Sequence, residues 1–215
     1  MEMPNRNRKK LELSIQGKKV TIRSFLSPDE IAGLSFNKSM PGYARYRPIV
    51  SDKKTLIKVA SIPDVNVTLA IGPDRRIIGL GILEYPLPEE RWNGVGERVM
   101  MEVAAIEVSI PWRSLGLSKH ILSLLVNHPL SDERILYMVG YSWTWDIDGK
   151  SLSAMGYRNM LINIFSREGF RIYQTNEPNV MLRPENLFMA RVGSHISETV
   201  QERFKWIRFG LDPDL

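Results

Sequence analysis

Ala104-Ala105-Ile106-Glu107-Val108-Ser109-Ile110-Pro111-Trp112-Arg113-Ser114-Leu115-Gly116-Leu117-Ser118-Lys119 is the stretch on which the reading of this chain turns. Its first part belongs to an apolar, β-branched run expected as a strand over Val103 to Ile110. Pro111 has no N–H to give to a ladder, so the strand should end there or splay from its neighbour. A small-residue turn follows, and then a helix expected over Ser118 to Asn127. The first amides of a helix lack intrahelical acceptors and carry partial positive charge, so a strand-turn-helix junction with a glycine can close main-chain donors on a pyrophosphate. Gly116 has no Cβ to hold a phosphate away, and Arg113 adds a permanent cation at the loop entrance. The candidate anion-binding residues are therefore Val108, Ile110, Arg113, Ser114, Leu115, Gly116, Leu117, Ser118 and Lys119.

On the N-terminal side of this segment, Leu11 to Ile15 and Val20 to Arg23 alternate around Gln16-Gly17 and read as a hairpin. Ser27-Pro28-Asp29-Glu30 supplies an N-cap, a proline at the first helical position and acids in the first turn, so a short helix should start there, with a second over Lys53 to Ala60. Val67 to Ile71 and Ile77 to Leu83 read as an antiparallel pair joined by Gly72-Pro73-Asp74. Tyr85-Pro86-Leu87-Pro88 then opens a long polar loop to Arg98, with Trp92 inside it. On the C-terminal side come a strand over Ile135 to Tyr141, a helix near Leu152 to Arg167, strands around Phe170 and Phe188, and an amphipathic helix begun by Ser197. The pattern is α+β around a mixed sheet.

With 215 residues, 43% hydrophobic and 25% charged, the chain can bury a sizeable core, and one main domain over residues 11–215 is expected. Residues 1–10 are basic and polar and read as a flexible tail, without the apolar stretch of a secretory signal. No run approaches the ~20 apolar residues of a membrane span. There is no cysteine, hence no disulfide, cysteine nucleophile or thiolate metal site, and the cytoplasm is the expected compartment. The net charge of +5 fits an anionic cofactor or a solvated surface, and the scattered basic residues lack the aromatic interleaving of a nucleic-acid binder. His120, His128 and His195 show no metal-ligand spacing, so no metal is expected.

Arg113-x-x-Gly116-x-Ser118 resembles the acetyl-CoA loop of the GNAT N-acetyltransferase superfamily, with Ser118 in place of the usual glycine or alanine. The chain is similar to the acetoin-utilisation branch of that superfamily over residues 43 to 209. This resemblance rests on Tyr46-Arg47-Pro48, Glu90-Arg91-Trp92, Ala105-Ile106-Glu107-Val108, Trp143-Thr144-Trp145-Asp146, Tyr157-Arg158, Asn176-Glu177-Pro178 and Met189-Ala190-Arg191-Val192-Gly193. It implies a mixed, mostly antiparallel central sheet with a splayed strand pair and helices on both faces. It also implies acetyl-CoA as co-substrate, and a protein acceptor, a lysine of acetyl-CoA synthetase. In many members a tyrosine preceding Gly-Phe protonates the leaving thiolate; Phe165 stands at that position here.

An ammonium must lose its proton before it attacks a thioester. Glu107 is the candidate general base: it shares a strand face with Ala105 and Ser109, and an acid inside an apolar strand is costly unless paired or used. A carboxylate held by an arginine would look the same in sequence. Tyr157 is the candidate acid; the alternatives are Tyr141 or a thiolate that leaves unassisted. Alternation would put Trp143 and Trp145 on one face, as core or as walls of an acceptor channel. Glu84, Glu89 and Glu90 lie where an acceptor lysine could be steered, or are simply solvated. A binding module without turnover and a small-amine acetyltransferase are the competing functional readings, the long loop from Tyr85 to Arg98 favouring a protein acceptor over a small amine.

Overall fold

Alternating burial sets the first two strands, β1 (Lys10–Ile15) and β2 (Lys18–Arg23), which pair antiparallel with Leu11 opposite Ile22 and Leu13 opposite Val20. These and the elements below come from a computed structural model that describes residues 8–40, 53–147 and 152–211. The Tyr46-Arg47-Pro48 patch and most of the basic N-terminal tail lie outside those residues. The chain divides into two compact units, Met1–Glu84 with Ala104–Pro129 and Tyr85–Val103 with Leu130–Leu215.

In the first unit, Ser27 closes a capping box with Glu30 and starts α1 (Pro28–Ala32). A two-residue strand, β3 (Ser35–Phe36), α2 (Lys53–Ala60), β4 (Asn66–Ile71) and β5 (Arg76–Glu84) follow. The strand order is β1-β2-β4-β5, continuing to β6 (Met100–Val108), with β3 parallel beside β5. Val67 and Leu69 of β4 and Leu80 and Ile82 of β5 pack with Ile31 of α1 and Leu56 of α2 on one face. Ala70, Ile78 and Val108 pack with Leu117 and Ile121 of α3 (Leu117–Val126) on the other. Each buried aliphatic side chain here contributes roughly 1.5–3 kcal/mol. Buried Asn66 in this layer is fully used: it accepts from the Phe25 amide at 2.9 Å and from Thr68 Oγ1 at 3.1 Å, and donates to the Leu125 carbonyl at 2.8 Å.

In the second unit, β6 pairs parallel with β7 (Ile135–Gly140) from Met100↔Ile135 to Glu102↔Tyr137. β7 pairs antiparallel with β9 (Leu187–Val192), and β9 with the short β8 (Arg171–Ile172). Among the described residues the strands are thus mostly antiparallel. Tyr137, Phe188 and Trp92 stack on one another beneath α6 (Glu198–Arg208), with Trp92 and Phe188 centroids 4.6 Å apart. Other helices of this unit are α4 (Ala154–Ser166), against β8, and α5 (Pro178–Met181).

The segment read from sequence as a long loop is anchored. Arg91–Val95 forms a 3-10 turn that buries Trp92 and Val95, Arg203 donates to the Gly94 carbonyl, and Arg91 donates to Asn176 at 2.6 Å. Removing a buried aromatic of this kind costs about 3–5 kcal/mol. Its polar sequence hid this because the residues that anchor it, Asn176 and Arg203 among them, are distant in sequence.

Candidate functional site

β6 ends at Val108, two residues earlier than Pro111 alone would dictate, because Ser109 turns inward. Ser109 is fully buried, donating through its amide to the Ile78 carbonyl at 2.8 Å and through Oγ to Asn37 Oδ1 at 3.1 Å. Ile110–Trp112 is a 3-10 turn and Ile110 is exposed. Arg113 follows, its Nε donating to the Val108 carbonyl at 3.1 Å, which fixes the guanidinium beside the strand end.

The backbone then takes two left-handed steps, at Ser114 (φ +62°) and Gly116 (φ +79°). Gly116 is the N-cap of α3, with no side-chain cap, and a Cβ placed there would meet nothing within 4 Å. The Lys119 amide bonds to the Gly116 carbonyl at 3.1 Å. Among the described residues, the amides of Ser114, Leu115, Gly116, Leu117 and Ser118 have no acceptor. The other α-helices with a described N-cap are each capped by a side chain: Ser27 for α1, Ser153 for α4, Glu177 for α5 and Ser197 for α6. Ser118 itself caps nothing, because the helix begins one residue before it.

Of the sequence-derived candidates, Val108 and Leu117 pack into the apolar cluster, while Ser114 and Lys119 are exposed and Leu115, Gly116 and Ser118 half-buried. Glu107 is half-buried and lies one residue from Ile106 and Val108, which face α3; alternation turns its side chain to the opposite face. Ile106 and Val108 therefore serve packing, and Glu107 does not join them.

Tyr157 lies in the first turn of α4, its ring stacked on Trp145 with centroids 5.0 Å apart. Trp143 stacks instead on Tyr141 at 5.0 Å. The tryptophans do not alternate along a strand: Ser142–Thr144 is a 3-10 turn held by the Thr144 amide and Oγ1 on the Tyr141 carbonyl, so each takes a different partner. This aromatic pairing was invisible in strand periodicity. Burial, reinforced by Glu177 and Glu102, pushes the Tyr141 hydroxyl above its ordinary range. Burial does the same to Tyr137, which donates to Glu90 Oε2 at 3.2 Å, with Glu102 and Glu90 adding to the effect. Glu90 is thus engaged with the core, whereas Glu89 is exposed. Phe165, at the family's tyrosine position, is buried edge-on to Phe170 at 5.2 Å.

His128 is buried with Nε2 2.7 Å from the Asp64 carbonyl, and His195 pairs with Glu133 at 3.3 Å. No cluster of metal-ligating side chains occurs among the described residues, and no described helix is long and apolar enough to cross a membrane.

No protein-family model matches the chain. It is 28% identical to acetoin utilization protein AcuA of Bacillus subtilis over 184 residues, 86% of each chain. The crystal structure of an acetoin utilization protein from Exiguobacterium sibiricum superposes with a TM-score of 0.86 at 24% identity over 94% of both chains. A GNAT superfamily phosphinothricin acetyltransferase from Sinorhizobium meliloti, solved in complex with AcCoA, superposes with a TM-score of 0.50 at 15% identity, covering 81% of this chain and 89% of that one. The chain is thus similar over nearly its full length to the acetoin utilization proteins, and it shares the fold of the GNAT acetyltransferase, with an uncapped, glycine-opened helix after β6.

Proposed function

We propose that this chain is a protein lysine N-acetyltransferase that moves the acetyl group of acetyl-CoA directly to a lysine of an acceptor protein, acetyl-CoA synthetase, within a ternary complex. The observation that carries the reading is the row of bare amides from Ser114 to Ser118 at the start of α3, opened by Gly116 and flanked by an oriented Arg113. Half-buried donors without acceptors cost free energy unless a ligand or water completes them, and a diphosphate is a ligand that suits a run of free N–H groups at a helix start. The residues present therefore fit acetyl-CoA: Val108, Ile110, Arg113, Ser114, Leu115, Gly116, Leu117, Ser118 and Lys119 would line its diphosphate and the adjoining arm. The β6–β7 ladder that stops at Glu102 fits the expected splay.

In the proposed reaction Glu107 accepts a proton from the lysine ammonium. The freed amine forms a C–N bond to the acetyl carbon, the C–S bond breaks, the leaving thiolate takes a proton from Tyr157, and the surplus proton on the new amide nitrogen restores the Tyr157 hydroxyl. Residues 11–215 act as one domain in this reading, and the reaction takes place in the cytoplasm.

One observation favours a second reading, a domain that holds acetyl-CoA without turnover: Phe165 is buried where the family's proton donor stands and has no proton to give. Incubation with isotopically labelled acetyl-CoA and acetyl-CoA synthetase separates the two. Intact mass should show one acetyl added to the synthetase; saturable cofactor binding with no mass change would leave only the binding module.

A further inference from the structure

The second unit contains a cavity of about 370 Å³ that shares no residue with the segment from Val108 to Lys119. Its floor is Leu187 and Phe188, both buried, and its rim is apolar and open: Ile172 is 48% exposed, Met181 67% and Phe209 38%.

Most polar side chains along its wall are already occupied. Asn186 accepts from the Ser142 amide at 2.7 Å and donates to the Asn179 carbonyl at 2.6 Å. Asn176 accepts from Arg91 at 2.6 Å and donates to the Phe209 carbonyl at 2.6 Å. Thr175 donates to the Arg208 carbonyl at 2.6 Å and accepts from the Glu177 amide at 3.1 Å. These groups hold the wall together and have little left to offer a ligand.

Arg158, on α4, is different. It lines the same cavity, has no hydrogen bond or ion pair among the described residues, and its Nε is buried without a partner. A permanent cation against apolar walls, lacking a counter-ion, carries a desolvation cost that an anion would relieve. The planar guanidinium selects a carboxylate, which it can hold through two parallel hydrogen bonds.

We infer that this cavity is a binding site for an amphipathic monocarboxylate, its carboxylate on Arg158 and its hydrocarbon body against Leu187, Phe188, Met181 and Phe209. The volume corresponds to about a dozen water-sized groups, which matches a carboxylate with a chain of six to ten carbons. The inference is independent of acetyl transfer and goes beyond it.

Calorimetric titration of the full chain with sodium octanoate tests this, with octan-1-ol as the uncharged analogue. Octanoate should bind saturably at millimolar concentration or below, and octan-1-ol about tenfold or more weakly, since charge-assisted hydrogen bonds contribute on that scale. Arg158→Gln should weaken octanoate by a similar factor, with Arg158→Lys recovering part of it. Met181→Glu, at an exposed rim position, should weaken octanoate by placing a like charge at the mouth. No heat with octanoate, equal affinity for the alcohol, or indifference to both Arg158→Gln and Met181→Glu would overturn the assignment.

Discussion

The two strand-to-helix junctions that follow the parallel strands make opposite use of the same topology. After β6 the chain takes two left-handed steps and enters α3 with a glycine N-cap, leaving five amides bare. After β7 it folds a 3-10 turn of stacked aromatics and enters α4 from Ser153, whose hydroxyl accepts from the Gly156 amide at 3.1 Å. At the second junction the helix start is met by a side chain of the protein itself. The first leaves its amides for a ligand or water to meet, in a protein whose other described helix starts are each capped by a side chain.

The comparison can be broken at four points, taken from the largest expected effect to the smallest. Glu107→Gln, on the strand feeding the first junction, should lower kcat/KM by roughly 10²–10⁴ in steady-state assays; near-normal turnover removes Glu107 as the base. Gly116→Val should weaken CoA about tenfold or more by titration, because a left-handed conformation costs a side-chain-bearing residue about 1–2 kcal/mol and a branched Cβ intrudes on the approach of the phosphate. Ser153→Ala should cost about 1 kcal/mol and lower Tm by about 2–4 °C in a thermal melt while leaving CoA affinity intact. Ser118→Ala should leave stability within about 0.5 kcal/mol, since this hydroxyl caps nothing. A Tm loss as large as that of Ser153→Ala would show that Ser118 caps the helix after all.

Much of this was legible before any coordinates. The β1–β2 hairpin, the capped start of α1, the β4–β5 pair and the helices α3, α4 and α6 fall within one to three residues of their sequence expectations, because each rests on local signals: alternation, a serine cap, a turn glycine. The positions of the bare amides followed from the same local reading. The three 3-10 turns, the two-residue strand β3 and the short α5 did not. They are held by distant partners such as the Trp92 stack on Phe188, and nothing local to Trp92 or Trp143 announces them. That Arg158 has no partner among the described residues was equally hidden, since a missing partner is a property of the folded surroundings.

One small position has a large bearing on how this sequence can change. Gly193 ends β9 with its Cα pressed against the chain entering β7: a Cβ there would lie 2.3 Å from the Asp132 carbonyl oxygen and 2.6 Å from that of Ser131, both main chain. Backbone cannot swing aside as a side-chain tip can, so even alanine must pry the two segments apart. In a library randomised at this codon and sorted for folded protein, glycine should be the sole survivor, however generous the rest of the surface is to substitution.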